Sequence, residues 1–195
     1  QKLKREVING YSLLYTWQGS RADLEPVMVM AHQDVVSADP TEWTHPPFEP
    51  RIETLPDGRR TIVARGACDD KGQAMTFVEA CRAYQAVTGS LPLPITMMIE
   101  GEEECGGDVI VDRLNLEPER THADAVLVAD MGYYAPGIPA VYTALRGMCY
   151  AEIHLRTLER DLHSGTYGGV APNALEALCR LLMDLKGVDG RIHIR

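Results

Sequence analysis

Residues 26–34 read Pro-Val-Met-Val-Met-Ala-His-Gln-Asp, an unbroken apolar run that turns polar at His32. A short run rich in valine and methionine predicts a buried strand, because both faces of such a strand contact apolar neighbours. Two later runs have the same form: residues 95–99 end at Glu100, and residues 125–129 end at Asp130. The sequence therefore predicts three buried strands, each with a polar side chain just beyond it.

Helical patterns alternate with these strands. Residues 71–87 have apolar side chains at helical spacing with Gly89 beyond them, and residues 109–116 form a shorter pattern of the same kind. Residues 39–60 are rich in Pro, Asp and Gly, which predicts a loop with a hairpin around 56–58, followed by a strand at 61–64. The alternation predicts an α/β fold with a mixed sheet flanked by helices.

The pattern changes after about residue 145. Residues 147–157 alternate between polar and apolar side chains, which predicts a half-buried strand. A Gly-, Ser- and His-containing loop and a helix at about 173–185 follow. We therefore expect one domain over residues 1–145 and the beginning of a second, α+β domain over 146–195.

Composition excludes several classes of function. The 195 residues carry a formal net charge of -9, which is unsuited to non-specific nucleic-acid binding. No apolar run approaches the roughly 20 residues that span a bilayer. The five cysteines, an odd number with no C-x-x-C spacing, predict reduced thiols in a cytoplasmic protein. The start lacks a Met and a signal sequence, so we expect part of a longer gene product.

Carboxylates are crowded at two points after the predicted strands. Asp69 and Asp70 are adjacent and have glycines on both sides, and residues 100–104 read Glu-Gly-Glu-Glu-Glu. Buried adjacent carboxylates repel one another unless a cation neutralises them. The alternatives are that the two aspartates cap the following helix and that the glutamates form an exposed acidic loop.

His32 and Asp34 are two residues apart at a strand end, a spacing that suits a metal ligand and the partner that orients its ring. The same spacing also occurs where both residues are purely structural. In open α/β sheets, ligands bind at the carboxyl edge of the strands, so His32, Asp69, the acidic run and Asp130 are expected to converge there. One imidazole and several carboxylates suit a pair of divalent cations.

Six segments together resemble the di-zinc peptidase family that contains carnosinase-like cytosolic dipeptidases, aminoacylases and glutamate carboxypeptidases. They are AHQDVV (31–36), WTHPPF (43–48), RGACDDKG (65–72), EGEEECGG (100–107), LVAD (127–130) and DLHSGTYGG (161–169). The resemblance runs from about residue 27 to residue 194. Any one segment is modest evidence, whereas six in order at suitable spacing are specific.

The resemblance implies a metal-binding role for four residues. His32 and Asp130 would bind one ion, Asp69 would bridge both ions, and Glu104 would bind the second. The peptide bond between Asp69 and Asp70 would be cis. The implied cofactors are two divalent ions, with zinc expected and manganese or cobalt as alternatives.

The resemblance also implies the catalytic roles. Glu103 would be the general base that activates water, and Asp34 would orient the imidazole ligand. His163 would be the lid-domain histidine that reaches a partner subunit's site and steadies the tetrahedral intermediate. Arg146 and Asn173 are expected to contact substrate through the lid.

The implied activity is hydrolysis of the amide bond of a dipeptide or small peptide. Residues 1–145 would be the catalytic metal-binding domain without its C-terminal part, and 146–195 the beginning of a lid that forms a homodimer in the full-length protein. The first two segments look more like N-acyl-amino-acid amidohydrolases and carboxypeptidases, whereas the segments at 65–72 and 161–169 look like dipeptidases. We give more weight to the dipeptidase-like segments, because one of them contains His163, which would act at the substrate.

One departure from the family pattern leaves a third hypothesis open. The family has a second metal-binding His near its C-terminus, and nothing after Asp130 matches it, because His154, His163 and His193 all fall where the lid begins. The ion at Glu104 would therefore lack one ligand in this chain. A catalytically inactive fragment or a binding module is the resulting alternative.

Overall fold

The computed structural model describes residues 3–193. The first two and last two residues, on which the expectation of a longer gene product partly rests, lie outside this range. The chain forms two compact units that divide between Thr143 and Ala144. The roles expected for residues 1–145 and 146–195 stay predictions. Among the described helices, none has both the length and the apolar character that a membrane span requires.

Residues 3–193 contain seven strands and four α-helices. The strands are β1 (Lys4–Ile8), β2 (Ser12–Gln18), β3 (Val27–His32), β4 (Arg51–Thr54), β5 (Arg60–Val63), β6 (Pro94–Glu100) and β7 (Ala125–Val128). The helices are α1 (Gly72–Thr88), α2 (Asp108–Leu116), α3 (Ser164–Tyr167) and α4 (Ala174–Leu185).

A five-stranded mixed sheet organises the first unit, in the order β1-β2-β6-β3-β7. Strand β3 is parallel to both neighbours, β6 and β7, whereas β1–β2 and β2–β6 are antiparallel. The hairpin β4–β5 forms a separate two-stranded sheet. The α/β fold with a mixed sheet and flanking helices, predicted from the sequence, is confirmed.

Strand register brings the predicted polar residues to one edge. His32 pairs with Glu100 at the ends of β3 and β6, and Met30 pairs with Val128 at the end of β7. Asp130 lies two residues beyond that pair. Because the three strands are parallel, all of their carboxyl ends lie along the same edge of the sheet.

Side chains that alternate along β3 and β6 fill a hydrophobic core on each face of the sheet. On the face with α2, five buried residues form one cluster: Ile8, Leu14, Met28, Met98 and Ile110. On the face with α1, four more form the other: Val29, Ala31, Ala74 and Met97. Packing on both faces holds β3 and β6 at the centre of the unit. It therefore fixes the position of the polar residues at the ends of these strands.

The hairpin β1–β2 was not predicted. Its turn is Asn9-Gly10, and both residues have positive φ, 52° and 88°. This dipeptide is a strong hairpin signal, because a type I′ turn needs positive φ at both central positions. The hairpin completes the sheet on its antiparallel side.

The second unit contains α3 and α4. The helix predicted at about 173–185 is confirmed, with Asn173 as its N-cap: Asn173 Oδ1 accepts hydrogen bonds from the N–H groups of Leu175 and Glu176. The strand predicted at 147–157 is wrong, since no strand forms there. A strand needs a neighbour for its backbone hydrogen bonds, and residues 3–193 provide none for this segment.

Candidate metal centre

His32 is the buried residue around which the site is built. It is the last residue of β3 and is 2% exposed. Its backbone N–H donates to Asp70 Oδ2 at 3.0 Å. Burial in the sheet and this hydrogen bond fix the point from which the imidazole projects.

The two ring nitrogens of His32 have different partners. Nδ1 lies 3.0 Å from the carbonyl oxygen of Asp34, which can only accept, so Nδ1 carries a proton. The carboxylate of Asp34, predicted to orient the ring, is farther from Nδ1, with its Oδ1 at 3.4 Å. Nε2 is therefore the nitrogen available as a ligand atom, and it points towards two carboxylates.

Asp69 and Asp70 lie in the segment Ala67–Lys71, which leads into α1 and is kinked at Asp69, whose backbone is extended (φ -154°, ψ 92°). Their peptide bond is cis, as the resemblance implies. Asp69 is exposed and its Oδ1 lies 2.8 Å from His32 Nε2, whereas Asp70 is fully buried beneath it. The His32 N–H donates to Asp70, the Asp69 carboxylate faces His32 Nε2, and neither side chain caps α1, so the capping alternative is wrong.

The turn before these aspartates needs a glycine. Gly66 has a φ of 81°, a conformation that L side chains rarely adopt. A Cβ there would also lie 2.6 Å from Val35 Cγ1. The close approach of this turn to the segment after β3 brings Asp69 within reach of His32.

Asp34 holds the acidic loop that follows β6. Its Oδ1 accepts from the backbone N–H of Glu103 at 3.2 Å, and its Oδ2 accepts from that of Glu104 at 2.9 Å. Glu103 is exposed and Glu104 is half-buried. The carboxylate of Asp34 therefore fixes the backbone position of Glu103 and Glu104, for which the resemblance implies the roles of general base and metal ligand.

Three of the four predicted metal ligands come together. His32, Asp69 and Asp130 each offer one ligand atom, and these atoms all lie within 4.8 Å of one another. Asp130 Oδ2 is 3.9 Å from His32 Nε2. Within the described part of the chain, Glu104 is not a member of this group.

The remaining predicted residues lie in the second unit. Arg146 is exposed in an irregular segment. His163 is the N-cap of α3, and its Nδ1 accepts from the Gly165 N–H at 3.1 Å. In the neutral ring the proton is therefore on Nε2. The Oδ1 of Asn173 is occupied by the cap of α4.

Burial and crowded negative charge shift the pKa values of the acid groups in the site. Desolvation raises the pKa of Asp70 to about 6, although the His32 N–H opposes the shift. Desolvation and then nearby carboxylates, Asp130 foremost, raise the pKa of Glu103, and His32 opposes this. Burial alone would lower the pKa of His32, but Asp69 and then Asp130 raise it above its usual value.

The donor set fits a divalent cation. One imidazole nitrogen with its lone pair directed outward and two carboxylates on separate segments match the ligand preference of zinc and of harder ions such as manganese. Burial, and after it the neighbouring carboxylates, raises the pKa values of Asp70 and Glu103, so the charged forms of these groups lack full compensation. A bound cation would supply that compensation.

Some contacts of the site were not predicted. Asp70 was singled out with Asp69, but its bond to the His32 N–H was not expected. Tyr11 donates from its hydroxyl to Glu102 Oε1 at 2.7 Å, and the hairpin that brings it there was missed. The Asn-Gly turn signal at residues 9–10 could have placed this hairpin, though not its contact with the loop.

Comparison with known proteins settles the family. The sequence pattern of peptidase family M20/M25/M40 matches residues 28–184, a span that includes every residue of the site. The chain belongs to this peptidase family. The resemblance inferred from the six segments is thereby confirmed.

Two similar members of the family are dipeptidases by name. The chain is 37% identical over 174 residues to a cysteinylglycine-S-conjugate dipeptidase from Corynebacterium striatum, covering 88% of this chain and 37% of that protein. It is 30% identical over 179 residues to the human β-Ala-His dipeptidase, covering 90% and 34%. The chain thus spans little more than a third of the length of these relatives.

A solved structure shows the same fold. An M20 family metallo-carboxypeptidase from Sulfolobus solfataricus superposes with a TM-score of 0.75 at 24% identity, covering 98% of this chain and 42% of that one. At this level of identity the match supports the fold alone. It agrees with the mixed sheet and flanking helices described above.

Proposed function

We propose that the chain is part of a metal-dependent enzyme that hydrolyses the amide bond of dipeptides. The observation that carries the proposal is the meeting of His32 Nε2, Asp69 and Asp130 within 4.8 Å in a chain of the M20/M25/M40 peptidase family. The relatives' names support the substrate class, since both act on dipeptides.

The chemistry follows from Glu103. Its raised pKa makes it a stronger base than an ordinary carboxylate, so it can take a proton from water and pass it to the leaving amine. Asp34 holds the backbone that carries Glu103. A divalent cation, when bound, would lower the pKa of water and polarise the amide carbonyl.

We propose two cations for the complete enzyme, with zinc as the expected ion and manganese or cobalt as alternatives. His32, Asp69 and Asp130 would hold the first. Asp69, which is exposed and faces the cluster, would also bind the second together with Glu104. The proximity of Glu104 to Asp34 through its backbone N–H supports this assignment.

Three residues of the second unit have proposed roles towards the substrate. His163 would donate a hydrogen bond from Nε2 to the oxyanion in a partner subunit's site, and the acceptor role of its Nδ1 supports this, because it leaves the proton on Nε2. Arg146 and Asn173 would contact the substrate. The exposed guanidinium of Arg146 and the free amide NH2 of Asn173 are the groups available for this.

We also propose that residues 146–195 belong to a lid through which two copies form a homodimer. Helix α4 supports this, because Leu175 and Leu182 are 72% and 48% exposed on a helix that also carries Glu176 and Arg180. We expect the protein in the cytoplasm, since all five cysteines are unpaired.

The test is hydrolysis of Cys-Gly and β-Ala-His by the zinc- or manganese-loaded natural polypeptide that carries this sequence. The expected result is turnover of the dipeptides, with kcat reduced about 100-fold or more in Glu103→Gln. Glu119→Gln, an exposed glutamate on a separate turn, is the matched control and should leave kcat unchanged.

Other outcomes would favour the alternatives. Turnover of N-acetyl amino acids without turnover of dipeptides would contradict the proposal and support an amidohydrolase. Metal binding without turnover of either substrate would support a binding module. Equal activity of wild type and Glu103→Gln would contradict the role of Glu103.

A further inference from the structure

The hairpin turn between β1 and β2 touches the acidic loop that carries the proposed base. Tyr11, the residue after the Asn9-Gly10 turn, donates from its hydroxyl to Glu102 Oε1 at 2.7 Å. The same hydroxyl accepts from Asn9 Nδ2 at 2.9 Å. The hydrogen bond to Glu102 raises the pKa of Tyr11, so the hydroxyl keeps its proton at neutral pH.

Next to this bond, the backbone of the hairpin is in close contact with the backbone of the acidic loop. The N–H of Gly101 donates to Oγ of Ser12 at 3.1 Å, and Ser12 is fully buried. A Cβ on Gly101 would lie 2.9 Å from the carbonyl oxygen of Tyr11. That carbonyl also accepts from Gln33 Nε2, so the hairpin is tied to the segment after β3 as well.

Glu102 depends on Tyr11 for its position. Its second carboxylate oxygen, Oε2, is buried and has no hydrogen-bond partner among residues 3–193. The bond from the Tyr11 hydroxyl is charge-assisted, and such bonds are stronger than those between neutral groups. Losing it would release the side chain of Glu102.

The loop is also held by the Gly101 N–H bond to Ser12 and by Asp34, through the N–H groups of Glu103 and Glu104. It ends in Gly106 and Gly107, which give it backbone freedom. We propose that Tyr11 is a positioning residue: by holding Glu102, it fixes where the carboxylate of Glu103 lies. The proposal rests on the proposed role of Glu103 as general base.

Hydrogen exchange tests the positioning without any assay of activity. Tyr11→Phe removes only the hydroxyl, and exchange of the Glu103 and Glu104 amides should become about tenfold faster. Tyr84→Phe is the matched control, because Tyr84 on α1 is 48% exposed and Tyr11 is 44% exposed. The control should leave these two amides at the wild-type rate.

Kinetics then connect the positioning to the reaction. In Tyr11→Phe we expect kcat for a dipeptide to fall about tenfold with KM within twofold, because the loss acts on the base rather than on substrate binding. Glu102→Gln keeps an acceptor oxygen for the hydroxyl and should retain most of the activity. Glu102→Ala should match Tyr11→Phe, and the double variant should be no worse than either.

The outcomes separate this inference from the proposed function. If the wild type does not hydrolyse dipeptides, the proposed function fails, while amide exchange still tests the contact. Unchanged exchange at Glu103 and Glu104 in Tyr11→Phe would overturn the inference. Faster exchange with an unchanged kcat would overturn it too, since the loop would then be held by Tyr11 without effect on the base.

Discussion

At the scale of single residues, the site depends on which nitrogen of His32 faces the carboxylates. The carbonyl oxygen of Asp34 accepts a hydrogen bond from the Nδ1–H of His32, and this leaves Nε2 facing Asp69 and Asp130. These residues can be predicted from the sequence, because each follows a strand or lies in a glycine-bounded turn. The bond between Asp70 and the His32 N–H could not be predicted, because the two are 38 positions apart and meet only in the folded chain.

Asp34 should be a sensitive residue although it lies outside the ligand set. Asp34→Asn keeps the side-chain volume but has one oxygen, so it can accept from only one of the two loop amides at Glu103 and Glu104. We expect metal affinity or kcat to fall about 10- to 100-fold with little change in melting temperature.

Competition with a chelating dye measures the affinity of this variant, and thermal unfolding measures its fold. Asp112→Asn, an exposed residue on α2, is the matched control. A wild-type affinity and rate in Asp34→Asn would show that the loop does not need both hydrogen bonds.

At the scale of elements, prediction succeeded where a strand is buried and failed where it is not. Strands β3 and β6 contact apolar neighbours on both faces, so their composition alone indicates them. Strand β1 lies at the sheet edge with polar and exposed residues, and only its Asn-Gly turn marks it. Residues 147–157 have the alternation of a strand, but alternation cannot supply the neighbour that pairs with it.

Core packing around β6 should dominate the stability of the first unit. Met98 is fully buried between β3 and α2 residues, so Met98→Ala should lower the free energy of unfolding by about 2–5 kcal/mol. Met75, 51% exposed on α1, is the control, and Met75→Ala should change the free energy of unfolding by less than about 0.5 kcal/mol. Urea denaturation measures both, and equal effects would contradict the assignment of the core.

Ion pairs tie β1 to the segment around α2. Glu6 accepts from Arg113 at 3.0 Å and from Arg120 at 2.5 Å. The hydrogen bond from Arg120, and then Arg113, hold the pKa of Glu6 below its usual value. A lowered folded-state pKa means that the charged form stabilises the fold above the unfolded pKa, about 4.3, and that this contribution is lost as pH falls through the folded pKa.

Glu6→Gln should therefore be less stable than wild type at pH 7, and the difference in free energy of unfolding should shrink as the pH drops below about 4.3. Urea denaturation across that pH range measures the difference, with the exposed Glu119→Gln as control. A difference that is independent of pH would show that the carboxylate charge of Glu6 is not what stabilises this contact.

At the scale of the whole molecule, one sheet edge gathers residues from segments that are nearly 100 positions apart, from His32 to Asp130. Membership of the M20/M25/M40 peptidase family agrees with this arrangement, and the chain spans little more than a third of its relatives' length. The proposed second cation and homodimer concern the complete protein. The first cation requires only groups that this chain carries.

Zinc titration of the metal-free chain, followed by calorimetry, tests the cluster of His32, Asp69 and Asp130 most directly. We predict saturable binding that weakens about 100-fold in Asp130→Asn, while Asp124→Asn, an exposed aspartate just before β7, binds as the wild type does. Circular dichroism confirms that both variants fold. Equal zinc affinity in Asp130→Asn and in the wild type would contradict the metal centre described above.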